Sequence, residues 1–253
     1  MPQLDFRKPR LFVDAALAAG KTVGLERSQS NYLGNVLRLS EGDTILVFNG
    51  RDGEWLASIT GRKRPDSLMI VTQSRPQDRL PDLACVFAPL KHARLDYMVQ
   101  KAVEMGASSL QPVLTRFTQV SRVNGERMRA NVIEAAEQCG ILSLATVAEP
   151  EPLDRYLGQR EVQRLLIFCD EVADATNPLQ ALQSGLAASN GIDVLIGPEG
   201  GFAEEERAIL LRQPQTVRLS LGPRILRADT AAVAALALVQ AALGDWTGTR
   251  LHG

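Results

Sequence analysis

The chain has 253 residues, 45% of them hydrophobic and 23% charged, with a formal net charge of −1. That length supports one or two domains with a substantial core, and two fits the change of pattern along the chain. Two histidines give a histidine-based zinc site or a Ser-His-Asp triad little to draw on, and no apolar run approaches the roughly 20 residues of a membrane span, so neither a metal nor a membrane partner is expected.

The N-terminus Met1-Pro2-Gln3-Leu4-Asp5-Phe6-Arg7 lacks a signal-peptide core. Residues 1–130 hold 19 Lys/Arg against 13 Asp/Glu, and residues 131–253 hold 9 against 16. The front half is therefore the place to look for a polyanion partner, with ordinary uneven surface charge as the alternative. From about residue 21 to 74 the pattern is short and β-like. Strands over 44–48, 54–60 and 68–71 are separated by Asn49-Gly50-Arg51-Asp52-Gly53 and by Gly61, which predicts a small barrel. One helix is expected there, over 31–39, from Leu33, Val36 and Leu37 at i, i+3, i+4.

Residues 75–82 are polar and hold two prolines, so the domain linker is placed there, between a domain over 1–74 and another over 83–253. After it strands and helices alternate. Strands are expected over 85–88, 110–114, 165–169, 193–196 and 216–221, and helices over 95–105, 123–139 and 230–243, an α/β pattern with a mostly parallel sheet. His92 marks a surface helix start. Cys85, Cys139 and Cys169 lie far apart beside apolar segments, as reduced thiols of a cytoplasmic protein do. The last helix is almost entirely small or apolar and so is buried in its own domain or against a second subunit.

Two loops stand out. Ile196-Gly197-Pro198-Glu199-Gly200-Gly201-Phe202 and Leu221-Gly222-Pro223-Arg224-Ile225-Leu226-Arg227-Ala228-Asp229-Thr230-Ala231 each leave a buried strand and open a helix, where α/β sheets bind ligands. The glycines let a ligand approach the main chain closely, and the alternative is a pair of plain tight turns. Glu204, Glu205 and Glu206 in the next helix's first turn complement its dipole and would repel phosphate. Neither loop carries a dinucleotide or P-loop fingerprint, so a cofactor without phosphates fits better. Arg224 and Arg227 suit RNA phosphate or negative charge on a base carbonyl. Asp229 either caps the last helix or pairs with Arg227.

These two loops, together with Tyr32 to Arg38, Gln100-Lys101-Ala102-Val103-Glu104-Met105-Gly106 and Glu134 to Gly140, resemble the bacterial RsmE family, ribosomal RNA small-subunit methyltransferase E, of the SPOUT class. The resemblance runs the length of the chain. It implies a PUA-like β-barrel for RNA followed by an α/β domain whose end forms a deep trefoil knot around S-adenosylmethionine, acting as a cytoplasmic homodimer. The reaction it implies is methylation of N3 of a uridine in 16S rRNA, free or in the assembled small subunit. The cofactor would be surrounded by Phe168, Cys169, Ile196, Gly197, Pro198, Glu199, Gly200, Gly201, Ser220, Leu221, Gly222, Ile225, Leu226, Arg227 and Thr230.

Arg224, Arg227 and Asp229 are the catalytic candidates. Uridine N3 carries a proton at neutral pH, so either a carboxylate, Asp229 or Glu199, removes it or the arginines stabilise the uridinate oxygens. Asp229 stands where many relatives have Glu, one methylene longer. For RNA capture the expected residues are Arg7, Lys8, Arg10, Arg38, Arg51, Lys91, Arg94, Lys101 and Arg116. The competing readings are another SPOUT reaction such as ribose 2′-O-methylation, and a non-catalytic RNA-binding protein of ribosome assembly.

Overall fold

The structure, a computed structural model, describes residues 8–61, 64–120, 122–173, 177–184 and 190–247. By its contacts the chain divides into two units, one of residues up to Arg79 together with Ala136–Leu144, the other of Leu80–Ala135 and residues from Ala145 onward.

The first unit is built on a five-stranded sheet in the order β1-β3-β4-β5-β2, with β1 at Arg10–Phe12, β2 at Thr22–Gly24, β3 at Thr44–Phe48, β4 at Glu54–Thr60 and β5 at Ser67–Arg75. Only β1 and β3 run parallel. Alternating side chains of these strands, among them Val23, Ile45, Ile59 and Leu68, close the core with Leu33. The expected helix over 31–39 is different in kind. A short helix α1, Arg27–Asn31, starts earlier because Gln29 Oε1 accepts the Glu26 amide at 2.9 Å, then widens into a π-turn over Tyr32–Val36. Leu37 N donates to Tyr32 O at 3.0 Å and Arg38 turns left-handed at φ +58°, ending the helix before Leu39.

Arg10 has a structural role here in place of the expected RNA contact. Its side chain is buried and donates to Glu54 at 2.9 Å, and Arg75 of β5 reaches the same carboxylate at 2.8 Å and Gly140 O at 2.9 Å. Arg75, expected in the linker, is thus the last residue of a strand. Burial would raise the Glu54 pKa, but bonds from Arg75, Arg10 and Ser74 outweigh it and lower it. Residues 136–144 are held to this unit by Glu137 Oε1, which accepts Phe12 N at 2.8 Å, and by Leu142 packing on Phe48.

The second unit holds a sheet of seven strands, every pair parallel, in the order β12-β10-β11-β6-β7-β8 with β9 also on β7. Its strands are β6 Leu83–Phe87, β7 Ser109–Leu114, β8 Thr146–Val147, β9 Glu151–Pro152, β10 Leu165–Cys169, β11 Ile192–Ile196 and β12 Thr216–Leu219. Every residue of β6, β10 and β11 is buried; β6 and β10 are unbroken apolar runs, and β11 is apolar but for Asp193, whose carboxylate accepts from Arg164 Nε at 2.7 Å. The helices are α2 His92–Glu104, α3 Gly125–Cys139, whose last four residues belong to the first unit, α4 Leu153–Gln159, α5 Pro178–Ser184, α6 Glu204–Leu211 and α7 Ala228–Ala242. Ser220 and Leu221, expected in a strand, begin the loop instead.

Helix α7 packs on α2, α5 and β11. Ala228, Ala232, Ala235, Leu236 and Val239 form its buried stripe, and the buried Gln240 joins them. Gln240 Nε2 donates to Met105 O at 2.7 Å and its Oε1 accepts Asp245 N at 3.1 Å, so the one polar side chain inside this apolar helix is satisfied at both ends. Gly106 turns at φ +84°, and a side chain there would strike the Gln240 amide. Among the described residues no helix is long and apolar enough to cross a membrane.

Candidate cofactor site

Three loops leave the carboxyl ends of the neighbouring strands β10, β11 and β12. The register sets Phe168 between Leu195 and Arg218, and Cys169 beside Leu219. Three of the expected cofactor segments are therefore adjacent at one sheet edge.

The loop after β11 closes as a tight turn. Gly201 N donates to Pro198 O at 3.0 Å with Gly201 at φ +69°. A Cβ on Gly197 would lie 2.6 Å from the ring of Phe202. Phe202 is buried and meets Phe168 edge-on, ring centroids 5.1 Å apart. Glycine stands at 197 because an aromatic ring covers its Cα. Glu199 is exposed and pairs with Arg94 at 3.2 Å, both side chains in contact with solvent. That makes it a brace on the loop, worth under about 1 kcal/mol.

Helix α6 begins with three acidic residues, and the third has work beyond the dipole. Glu206 Oε2 accepts Ala203 N at 2.9 Å and Oε1 accepts Arg116 N at 2.8 Å. One carboxylate thus fixes the end of the glycine loop to the turn after β7.

The loop after β12 is open. Ser220 is buried and Leu221 half-buried, while Gly222, at φ +98°, has no neighbour within 4 Å of where a Cβ would stand. Arg224 is exposed, and Ile225 is 94% exposed. Arg227 has extended backbone, φ −67° and ψ 151°, immediately before α7, and its side chain is exposed. Among the described residues Arg224 and Arg227 form no ion pair. The alternative of an Arg227–Asp229 pair is not what forms. Asp229 Oδ1 accepts Thr230 N at 2.9 Å within the first turn of α7. Thr230 itself is exposed.

Between these loops lies a charged node that sequence reasoning missed. Asp170 follows β10 directly, is buried, and accepts from Arg207 of α6 at 2.9 Å and from Arg218 of β12 at 2.8 Å. Burial pushes its pKa up, but the two guanidinium groups outweigh burial and hold it below the usual carboxylate range. The only signal in the sequence is an aspartate at the end of an apolar run, which is common. Cys169 beside it is buried, and its thiol pKa is pushed up first by burial. Cys85 is likewise pushed up, to about 12. Neither is a nucleophile at neutral pH.

These residues suit a phosphate-free cofactor. Gly222 offers bare main chain, Ile225 offers an apolar side chain that a ligand would cover, and Phe202 and Phe168 form an apolar floor beneath Gly197. The acidic first turn of α6 does not suit a nucleotide phosphate.

The expected RNA residues are distributed unevenly. Arg7 lies outside the described residues. Arg38, Arg51 and Lys91 are exposed, and Arg51 is 3.5 Å from Asp14. Lys8 donates to Thr44 at 2.7 Å, Lys101 is paired with Glu104 at 2.7 Å, and Arg116 lies 3.6 Å from Glu205.

A family profile described as RNA methyltransferase domain matches residues 77–240, more than half of the chain, and one described as RNA methyltransferase PUA domain matches residues 25–67. A protein of Rickettsia conorii named ribosomal RNA small subunit methyltransferase E is 32% identical over 91% of this chain and 94% of its own length. The chain belongs to the ribosomal RNA small subunit methyltransferase E family. A Synechocystis relative of the same name is 33% identical over 92% of this chain and 78% of its own. Two solved structures resemble the chain throughout. One is a methyltransferase of Legionella pneumophila with bound S-adenosylmethionine, TM-score 0.80, 28% identical, covering 93% of this chain and 98% of its own. The other is the family member of Neisseria gonorrhoeae, also bound to S-adenosylmethionine, TM-score 0.78, 27% identical, covering 92% of this chain and 97% of its own.

Proposed function

We propose that this protein methylates N3 of a uridine in 16S rRNA of the small ribosomal subunit, in the cytoplasm, using S-adenosylmethionine. The observation that carries the reading is the pair of glycine turns at the carboxyl ends of β11 and β12, in a chain whose relatives carry that cofactor. The first unit, with β1 to β5, is assigned as the PUA-like RNA-binding domain and the second, from Leu80 onward apart from Ala136–Leu144, as the SPOUT methyltransferase domain, in place of the sequence boundaries at 74 and 83.

A deep trefoil knot in the C-terminal domain is part of the proposal. Strand β11 follows β10 in sequence yet inserts between β10 and β6, and α7 returns from the far edge strand β12 to pack on β11 and α2, a connectivity compatible with threading. A homodimer is also proposed. The second face of α7, with Ala231, Val233, Ala234 and Leu238, is half-exposed without a charged residue, and a second copy would cover it.

S-adenosylmethionine supplies an electrophilic methyl group on a sulfonium. The chain's own task is to align that methyl with uridine N3 and to free the N3 lone pair. Phe168, Cys169, residues 196–201, residues 220–222 and residues 225–227 would hold the cofactor, Thr230 closing the start of α7. Arg224 and Arg227, exposed and without ion pairs among the described residues, are the groups to stabilise the uridinate oxygens. Asp229, which accepts from Thr230 N, is the carboxylate assigned to the proton, with Glu199, which pairs with Arg94, as the alternative.

The test is transfer of labelled methyl from S-adenosylmethionine to small subunits lacking the modification, followed by nucleoside analysis. Label in 3-methyluridine supports the proposal. Label in a ribose-methylated nucleoside overturns the target atom, and no label on subunits or free 16S rRNA overturns the activity.

A further inference from the structure

The turn after β7 has a shape that its structural surroundings do not require. Thr118 N donates to Thr115 O at 3.1 Å, and Thr115 N donates to Thr118 Oγ1 at 2.8 Å, so four residues form a doubly bonded turn with Arg116 and Phe117 at its tip. The turn is fixed from outside as well, by the bond from Arg116 N to Glu206 at 2.8 Å. Phe117 stands beside the glycine loop: a Cβ added to Gly200 would lie 3.2 Å from Phe117 Cβ and 3.6 Å from its Cγ. Yet Phe117 is 45% exposed, as is much of the side chain of its neighbour Arg116, whose guanidinium lies 3.6 Å from Glu205.

A large aromatic on a doubly bonded turn with much of its surface in water is an arrangement that binds unpaired nucleotides. The ring stacks on a base, and a fixed turn lowers the ordering cost of binding. We propose that Phe117 is a stacking platform for an unpaired base of the RNA substrate. The proposal rests on the RNA methyltransferase reading above and names a residue that sets how the substrate is presented to the Gly197–Gly201 loop. Phe117 does not touch the reacting atoms in this scheme and is a positioning residue.

The experiment compares Phe117→Ala, Phe117→Leu and Phe117→Trp in the full chain. Three quantities are measured: S-adenosylmethionine affinity by calorimetry, KM for small subunits in the methyl-transfer assay, and affinity for a single-stranded oligouridylate. Stacking is worth roughly a 5- to 150-fold change in affinity per base. Ala and Leu should therefore raise the RNA KM and weaken oligouridylate binding by about that factor, with S-adenosylmethionine affinity within about twofold of the parent. Trp should restore both, and its added fluorescence should be quenched by the oligonucleotide.

Full RNA affinity in Phe117→Leu overturns the proposal, since an aliphatic side chain fills the space without stacking. Parallel loss of S-adenosylmethionine affinity in Ala and Leu also overturns it, making Phe117 a wall of the cofactor loop. If the parent protein transfers no methyl group, the activity reading fails while oligouridylate binding still decides the platform.

Discussion

The ring of Phe202 lies over the Cα of Gly197 and makes an edge-type contact with Phe168 of the neighbouring strand. A methyl group at 197 has nowhere to go, because the ring is buried and cannot swing away. Gly197→Ala should displace the ring or the loop at a cost of about 1–3 kcal/mol. We expect S-adenosylmethionine affinity to fall at least about tenfold by calorimetry. Unchanged affinity would mean that the loop does not hold the cofactor.

Asp170 connects β10, α6 and β12 through Arg207 and Arg218, and its folded-state pKa is depressed. A depressed carboxylate contributes stability in full above its unfolded pKa, about 3.9, and loses it as pH falls through the folded value. Stability should thus hold from neutral pH down to about 5 and decline in stronger acid. Asp170→Asn should lower stability at neutral pH by about 2–3 kcal/mol, because two guanidinium groups lose their counter-charge, and should shallow the acid limb. Denaturant melts of both proteins across pH check this; parallel acid limbs would assign the acid sensitivity elsewhere.

Gln240 satisfies the carbonyl of Met105 and the amide of Asp245 from inside an apolar helix. Gln240→Ala removes the partner of the Met105 carbonyl, on a half-buried residue, and of the amide of the exposed Asp245, and about 1–3 kcal/mol of stability should be lost. Gly106→Ala should be similarly costly, since φ is +84° there and the Gln240 amide occupies the space. Urea midpoints measure both.

Arg227 precedes α7 with an exposed side chain. Arg227→Ala should leave the melting midpoint within the range of a surface change, about 0.5 kcal/mol, while lowering methyl transfer by about 100-fold or more. A variant that loses stability and activity together would make Arg227 structural. Asp229→Asn removes a negative charge from the first turn of α7 while leaving an oxygen for Thr230 N, so its stability cost should stay below about 1 kcal/mol. A loss of activity beyond that cost would identify Asp229 as the proton acceptor.

Much of this was legible in the chain because the signals are local. The fully buried strands β6 and β10 are continuous apolar runs, β11 departs from one only at Asp193, and the body of α7 is apolar but for Gln240. Gly197 to Gly201 and Gly222 announced turns because a left-handed φ or a bare Cα admits little else. What the tertiary structure alone decided are pairings between distant residues. Arg10 looked like one more surface cation until Glu54, 44 residues on, took it into the interior. Asp170 came to join β10, α6 and β12 through partners 37 and 48 residues away, and Gln240 found its acceptor 135 residues back. A polar side chain carries no mark of the partner that will compensate its burial, because that partner is brought by sheet order and helix packing. Composition and periodicity specify which segments are buried, and only the folded chain specifies which polar groups meet there.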